Sequence, residues 1–310
     1  MRTSDLLSLG VSPDELRGPR WRQPFHGVHA PVVQDQGDPL QRIQDAAALV
    51  PPGGALAGWA AGHLLGAVDL DGRGRSGHGQ EKVVIAVPLS YHPAPRPGVR
   101  FVRSALSDGD LVEIDGIQVT SAVRTCFDVA RTSSVEEGLV GADILCRQVG
   151  LEPADVQEYA EQHPGMRGLP VARAVLALAD PRSRSSGESR LRYIWVVEAG
   201  LPRPQCNPYV LDGTGAVVAM PDVLDLESGL AGEYDGAEHR SLRQHTADNA
   251  REEDLEGLGL EVVRATSLDV GPLRVRTVAR ILAGRERAAG QVRSWGWRPS
   301  PIPRPLVANW

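Results

Sequence analysis

Residues 220–239 read MPDVLDLESGLAGEYDGAEH, and they are the basis for predicting the fold of the C-terminal part of the chain. We interpret this stretch as a β-hairpin whose turn is centred between residues 227 and 228. In that register Asp222 lies directly opposite Glu233, where Cβ atoms are about 5 Å apart and like charges destabilise the sheet. Asp235 follows Glu233 by two residues, so strand alternation puts it on the same face. The hairpin therefore gathers three carboxylates on one face.

Three converging carboxylates are suited to a hard divalent cation, because such ions prefer oxygen ligands. A solvated acidic hairpin that binds no metal is the alternative, since Asp225 and Glu227 make the region acidic in any case. A shift of one residue in the register would also move these side chains to the other face. We expect Mg²⁺ or Mn²⁺ at these three carboxylates.

The sequence around the hairpin predicts a small domain with a mixed sheet. Its expected elements, in order, are a helix over 188–199, strands over 207–211, 217–226 and 230–234, a helix over 244–258, a strand over 260–265 and a helix over 273–289. Upstream, the patterns predict helices within 37–66, strands over 82–88, 99–106 and 111–121, and four helices between 121 and 179.

Glu188 on a helix, the Pro221-Asp222 pair and Glu233 together resemble the PD-(D/E)xK nuclease fold. The segment GEYDGAEH resembles the E-x-D-G…H signature of bacterial endonuclease-like domains related to the very-short-patch repair (Vsr-like) endonucleases. The resemblance covers about residues 185–266. It implies metal-dependent hydrolysis of phosphodiester bonds in DNA, with Asp222 and Glu233 holding the ion and Glu188 completing its shell directly or through water.

Asp235 departs from the nuclease pattern, because many of these enzymes carry a lysine at that position. In the mismatch-repair branch the lysine is also absent, and a downstream histidine is thought to serve instead. His239 occupies a comparable place, and the resemblance implies that it accepts the proton of the attacking water. Asp235 would then bind a second metal or orient His239. A surface histidine with no role is the alternative for His239.

The N-terminal region resembles the AbiEi-type antitoxin architecture, a winged helix followed by an α/β domain, in the segments FHGVHAP (25–31) and DGIQVTSAVRTCFDVA (115–130). Before them, residues 3–9 predict a short helix, and Ser12, Pro13 and Glu15 predict a second one that begins with a capping box. An N-terminal cap that never touches DNA is the alternative to a winged helix.

The expected fold class is a multidomain α+β and α/β protein with the boundaries that follow. They are a winged helix-turn-helix at 1–36, an AbiEi-like middle α/β domain at 37–180, a PD-(D/E)xK endonuclease-like mixed sheet flanked by helices at 181–290, and an irregular Pro/Trp-rich tail at 291–310. The small-residue stretch DPRSRSSG at 180–187 is the predicted linker.

Arginine supplies 32 of the 33 basic residues, and several arginines flank the predicted sites. The candidate phosphate contacts are Arg17, Arg20 and Arg22 near the N-terminus and Arg190, Arg192, Arg240 and Arg243 around the hairpin. Ordinary solvated arginines on helix faces are the alternative. The net charge of −6 excludes a uniformly basic nucleic-acid coat.

Local charge, cysteine spacing and the lack of long apolar segments exclude several classes of protein. Residues 31–180 carry a net charge of −7, which favours protein–protein contact, such as masking a cognate toxin, over DNA contact in the middle region. Three widely spaced cysteines without a CxxC pair argue against a zinc ribbon or a disulfide framework. The absence of a signal-like N-terminus and of a span of about 20 apolar residues predicts a soluble, cytoplasmic protein with no membrane partner.

Two functions follow from the sequence. The first is a DNA-binding protein whose endonuclease-like domain hydrolyses DNA with a divalent metal. The second is an antitoxin and transcriptional regulator, of the type IV toxin-antitoxin (AbiEi-like) kind, whose nuclease fold is non-catalytic. Metal-dependent cleavage of DNA distinguishes them.

Overall fold

The computed structural model describes residues 1–32, 35–74, 79–236, 255, 257–292 and 294–303. Over these residues the chain is a mixed α/β protein, and its contacts divide it into two compact units that meet between Val129 and Ala130. The expected boundaries after residues 36 and 180 therefore fall inside units. In the part of the chain that the structure describes, no helix is long and apolar enough to cross a membrane.

The first unit begins with two short helices and a hairpin, in the order expected. The elements are α1 (Thr3–Ser8), α2 (Pro13–Leu16), β1 (Trp21–Phe25) and β2 (Val28–Pro31). The predicted capping box is confirmed, because Ser12 Oγ accepts from the Glu15 N–H and the Glu15 carboxylate accepts from the Ser12 N–H.

A five-stranded sheet forms the centre of the first unit, in the order β5-β4-β3-β7-β6. Its strands are β3 (Ala55–Ala57), β4 (Val83–Val87), β5 (Val99–Arg103), β6 (Leu111–Ile114) and β7 (Ile117–Thr120), with helices α3 (Pro39–Ala47) and α4 (Gly58–Leu64). The expected strand over 111–121 is a hairpin instead. Asp115 and Gly116 both have positive φ, as a tight two-residue turn requires.

Four helices follow, as predicted: α5 (Ala122–Thr132), α6 (Val135–Val149), α7 (Pro153–Gln162) and α8 (Leu169–Leu178). Helix α6 begins at the cap Ser134 and ends at Gly150 in the left-handed region. It packs on α8 and on α9 (Ser186–Tyr193), which continues as a π-helical turn over Ile194–Glu198.

The second unit contains two sheets, because the predicted strand over 217–226 is divided. Its elements are β8 (Gln205–Cys206), β9 (Tyr209–Leu211), β10 (Val217–Ala219), β11 (Val223–Leu224), β12 (Leu230–Asp235), β13 (Glu261–Thr266), α10 (Arg274–Ala289) and β14 (Gly296–Arg298). Pro221 lacks an N–H and interrupts the ladder between β10 and β11. The sheets are β10-β9-β14 and the mixed β13-β12-β11-β8.

The prediction of an irregular tail is wrong for residues 296–298. They form β14, which pairs antiparallel with β9 and places Trp297 opposite Val210. Apolar side chains close behind the last helix, such as Trp295, pack against the core of the four-stranded sheet. The partly buried Trp295 ring helps to hold residues 296–298 in their strand.

Each face of the four-stranded sheet buries a different set of side chains. Helices α9 and α10 cover one face, where Gly232 leaves room for the side chains of Leu191 and Trp195. On the opposite face Leu224 and Ala231 lie in a second cluster. Strand alternation then puts the odd-numbered residues of β12 on the face away from α9.

Candidate active-site cleft

The pairing of β11 with β12 follows the register predicted from the sequence. Val223 pairs with Gly232 and Leu224 with Ala231. One more step along the same register places Asp222 opposite Glu233. Both residues line an open cleft of about 360 Å³ at this end of the sheet. The full lining is Arg184, Asn207, Met220, Asp222, Glu233, Tyr234, Asp235, Gly236 and Arg264.

Asp222 is held at the end of its strand by a hydrogen bond from the neighbouring strand. The backbone N–H of Tyr234 donates to Asp222 Oδ2 at 2.6 Å. The carboxylate replaces the backbone carbonyl that would continue the ladder, because β11 begins only at Val223, the residue after Asp222. Its position in the cleft is therefore fixed by backbone geometry.

The repulsion expected between Asp222 and Glu233 is offset by an arginine. Strand β13 runs parallel to β12 and puts Arg264 beside Glu233. The Arg264 Nε lies 3.6 Å from Glu233 Oε2, and both side chains are partly exposed. Asp235 lies beside Thr266 in the same register and also lines the cleft. The cleft thus presents three carboxylates with two arginines, Arg184 and Arg264.

Glu188 lies behind the cleft rather than on its wall. It is buried near the N-terminus of α9, where its backbone N–H donates to the cap Ser185. Its carboxylate accepts from the Arg184 N–H at 2.7 Å and from Asn207 Nδ2 at 2.8 Å. Asn207 in turn donates its backbone N–H to the Asp222 carbonyl at 2.9 Å. Glu188 is therefore connected to Asp222 through Asn207.

Asn207 has a backbone conformation that few residues tolerate. Its φ of 46° lies in the left-handed region, which asparagine visits more readily than most residues. The side chain is buried and also donates to the Arg182 carbonyl at 2.8 Å. This conformation lets Asn207 form hydrogen bonds with Glu188 in α9, with the loop before α9 and with Asp222, the residue before β11.

The carboxylates of the cleft are the groups there that suit a hard divalent cation. Within the residues that the structure describes, no three or more His, Cys, Asp and Glu side chains are grouped closely enough to hold a metal ion. Asp222, Glu233 and Asp235 share the cleft without forming such a group, and Glu188 is turned away into its own hydrogen bonds. Mg²⁺ commonly uses only one or two carboxylates and keeps several waters, so a pair of these carboxylates fits it.

Two of the predicted phosphate contacts are corrected by their surroundings. Arg192 is fully buried, where it binds Asp143 and donates to Cys206 Sγ at 2.8 Å, so it cannot reach a phosphate. Arg190 is mostly buried and its guanidinium is bound by Glu136 and Glu137. Both arginines stabilise the packing of α9, and neither lines the cleft.

The three N-terminal candidates differ in exposure. Arg22 forms a bidentate pair with Asp45, with both distances 2.7 Å, and only 11% of its side chain is exposed. Arg17 is exposed and pairs with Asp14 one turn earlier in α2, while Arg20 is exposed. Arg22 is therefore a structural residue, and Arg17 and Arg20 stay the candidates of this region.

His239, Arg240 and Arg243 lie outside the described residues, as does most of the predicted helix over 244–258. The sequence patterns did not point to Arg184, Asn207 or Arg264, which supply charge or side-chain hydrogen bonds in or beside the cleft. A signal for Arg264 would have required the parallel register of β13 against β12, which no local pattern encodes.

Comparison with known proteins finds relatives without an assigned activity. The chain is 28% identical over 194 residues to the Uncharacterized protein Rv2248 of Mycobacterium tuberculosis strain H37Rv and, equally, to the Uncharacterized protein MT2308 of strain CDC 1551. The match covers 62% of this chain and 71% of each relative. No family model and no solved structure matches the chain.

Proposed function

We propose that the cleft hydrolyses phosphodiester bonds of DNA with a bound Mg²⁺ or Mn²⁺ ion, and that residues 1–36 help to hold the DNA. The observation that carries the proposal is the cleft itself, where Asp222, Glu233 and Asp235 face Arg184 and Arg264 at the end of paired strands. The acidic side chains would hold a metal ion and the arginines are themselves cations, so both could contact the phosphates of a nucleic acid. The same proposal includes a PD-(D/E)xK fold for the part of the chain that carries the cleft and a winged helix for the N-terminal residues. It also includes a cytoplasmic location.

In this proposal different residues bind the metal, bind the phosphate and position the metal ligands. Asp222 and Glu233 supply the oxygen ligands. A bound divalent ion would polarise a phosphoryl oxygen and lower the pKa of a coordinated water. Arg264 and Arg184 bind the phosphate oxygens as charge-assisted donors. Glu188 acts through Asn207 as a positioning residue, because the Asn207 bonds fix the backbone of Asp222.

A non-catalytic antitoxin-like regulator is the second candidate, and one observation favours it. Asp235 stands at the position where many PD-(D/E)xK nucleases, the family that this domain resembles, carry a lysine. In this alternative the cleft binds nucleic acid or a cognate toxin without cutting. The helix–helix–hairpin order of the first 31 residues supports either candidate equally.

Cleavage by a matched pair of variants tests the proposal. Asp222→Asn keeps an oxygen that accepts from the Tyr234 N–H while it removes a ligand charge. Glu227→Gln removes the same charge from the same hairpin, at a side chain that is 79% exposed and outside the cleft. We expect plasmid cleavage in Mg²⁺ or Mn²⁺ by the wild type and Glu227→Gln, and at least a hundredfold slower cleavage by Asp222→Asn.

Metal binding is measured separately by thermal unfolding. An ion at one hundred times its Kd stabilises the native state by about 2.7 kcal/mol, so Mn²⁺ should raise the wild-type Tm and leave that of Asp222→Asn unchanged. A metal response without cleavage would support the regulator with a retained metal site. Absence of both, with Asp222→Asn less stable than the wild type, would reject the metal proposal.

A further inference from the structure

A second groove lies in the first unit, along the free edge of its five-stranded sheet. Strand β5 is the outermost strand on that side of the described sheet, and residues of the preceding loop line the groove together with it. The groove has a volume of about 390 Å³. Its lining is Tyr91, His92, Pro93, Pro95, Val99, Phe101 and Arg103.

The groove combines exposed aromatic rings with uncompensated positive charge. Tyr91 is 39% exposed and His92 is also exposed, so both rings are accessible to a ligand. Between residues 82 and 107 the chain has four basic residues and no acidic one. Among the residues that the structure describes, no carboxylate bonds to Arg96, Arg100 or Arg103. This contrasts with most arginines of the second unit, which are paired.

The shape and the charge favour one class of ligand. Of these arginines only Arg103 lines the groove. Exposed rings beside an arginine suit single-stranded nucleic acid, because every base offers a π-face for stacking and every phosphate a charge for arginine. Duplex DNA keeps its bases stacked on each other, so Tyr91 and His92 would gain nothing from it. Pro93 and Pro95 stiffen the loop that carries these rings, which lowers the entropy lost on binding.

We propose that this groove binds single-stranded nucleic acid, with bases stacked on Tyr91 and His92 and a phosphate held by Arg103. Strand alternation supplies an internal control, because Arg103 faces the groove with Phe101 and Val99 whereas Arg100 lies on the opposite face of β5. The site is independent of the cleft in the second unit and of any hydrolytic activity there.

Fluorescence anisotropy of labelled dT12 with the full-length protein, in EDTA and at several NaCl concentrations, tests the proposal. We expect Tyr91→Ala to weaken binding about tenfold and Tyr91→Phe to retain it, since phenylalanine still stacks. Arg103→Ala should lower the slope of log affinity against log salt by about 0.7, the value for one phosphate contact to a single strand. Arg100→Ala should leave that slope unchanged.

Several outcomes would overturn the proposal. These are no binding of dT12 by the wild type, equal binding by Tyr91→Ala and wild type, or equal salt slopes for Arg103→Ala and wild type. Binding lost in Arg264→Ala but kept in Tyr91→Ala would assign dT12 to the cleft instead. A poly-glutamate peptide that requires Tyr91 where dT12 does not bind would make the groove a protein-docking site.

Discussion

At the scale of single residues, Asn207 is the part of the cleft that most depends on chemical identity. Its side-chain nitrogen donates to Glu188 and to the Arg182 carbonyl, and its backbone N–H donates to the Asp222 carbonyl. An ordinary residue would supply only the last of these bonds and would be strained at a φ of 46°. The buried Glu188 carboxylate would then lose a donor.

We therefore predict that Asn207→Ala lowers the free energy of unfolding by about 2–4 kcal/mol, because it loses the side-chain hydrogen bonds to Glu188 and to the Arg182 carbonyl and strains the left-handed backbone. Asn207→Gly is the control, because glycine accepts the backbone conformation and loses only the side chain. Urea unfolding of both variants measures the two contributions. An Ala variant as stable as the wild type would mean that Glu188 finds another donor.

At the scale of elements, a buried ion pair joins α6 to α9. Asp143 accepts from the Arg192 guanidinium, from Ser189 Oγ at 2.5 Å and from the Asp180 N–H at 2.8 Å. Burial lowers the pKa of Arg192, but the nearby Asp143 carboxylate raises it. The net effect is upward, so this arginine stays charged. Burial raises the pKa of the neighbouring Cys206 thiol to about 12, which keeps it protonated and unreactive.

Removing one partner of this pair should be costly. We predict that Asp143→Asn destabilises the protein by about 3–5 kcal/mol, because it leaves the charge of Arg192 buried without a carboxylate. The double variant Asp143→Leu with Arg192→Met should lose less, since neither charge is then buried. Chemical denaturation of the two proteins checks the order, and a double variant that is the less stable of the two would contradict it.

The sequence predicted most elements but not how they are assembled. Capping at Ser12 and the register of Asp222 against Glu233 depend on neighbours in the chain, so local patterns sufficed. The split of the strand at Pro221 depends on which sheet each half joins. The position of Arg264 beside Glu233 and the turning of Glu188 toward Asn207 depend on tertiary packing. These long-range contacts are absent from any periodicity or spacing.

At the scale of the whole molecule, the second unit begins before the predicted linker. Residues on either side of that linker share buried contacts, including Asp143 with Arg192 and Glu136 with Arg274. Arg190 adds a pair with Glu137. The helices over 135–178 are therefore part of the unit that carries the cleft.

A fragment that starts at residue 130 should unfold in one cooperative transition, whereas a fragment that starts at residue 183 should not. The shorter fragment lacks Asp143 and leaves Arg192 with no buried carboxylate, besides exposing the face of α9 that packs on α6. Circular dichroism during urea titration compares them. Equal midpoints for the two fragments would support the predicted boundary at residue 180.

The shared burial of Asp143 and Arg192 also constrains how the gene can vary. A recombination crossover between diverged copies, placed anywhere from codon 144 to codon 191, would join one parent's carboxylate to the other parent's guanidinium. Offspring would inherit a working pair only if both parents had kept the same chemistry at both positions. The predicted linker at 180–187 is therefore an unfavourable place for recombination, because a crossover there can separate a matched pair and destabilise the protein.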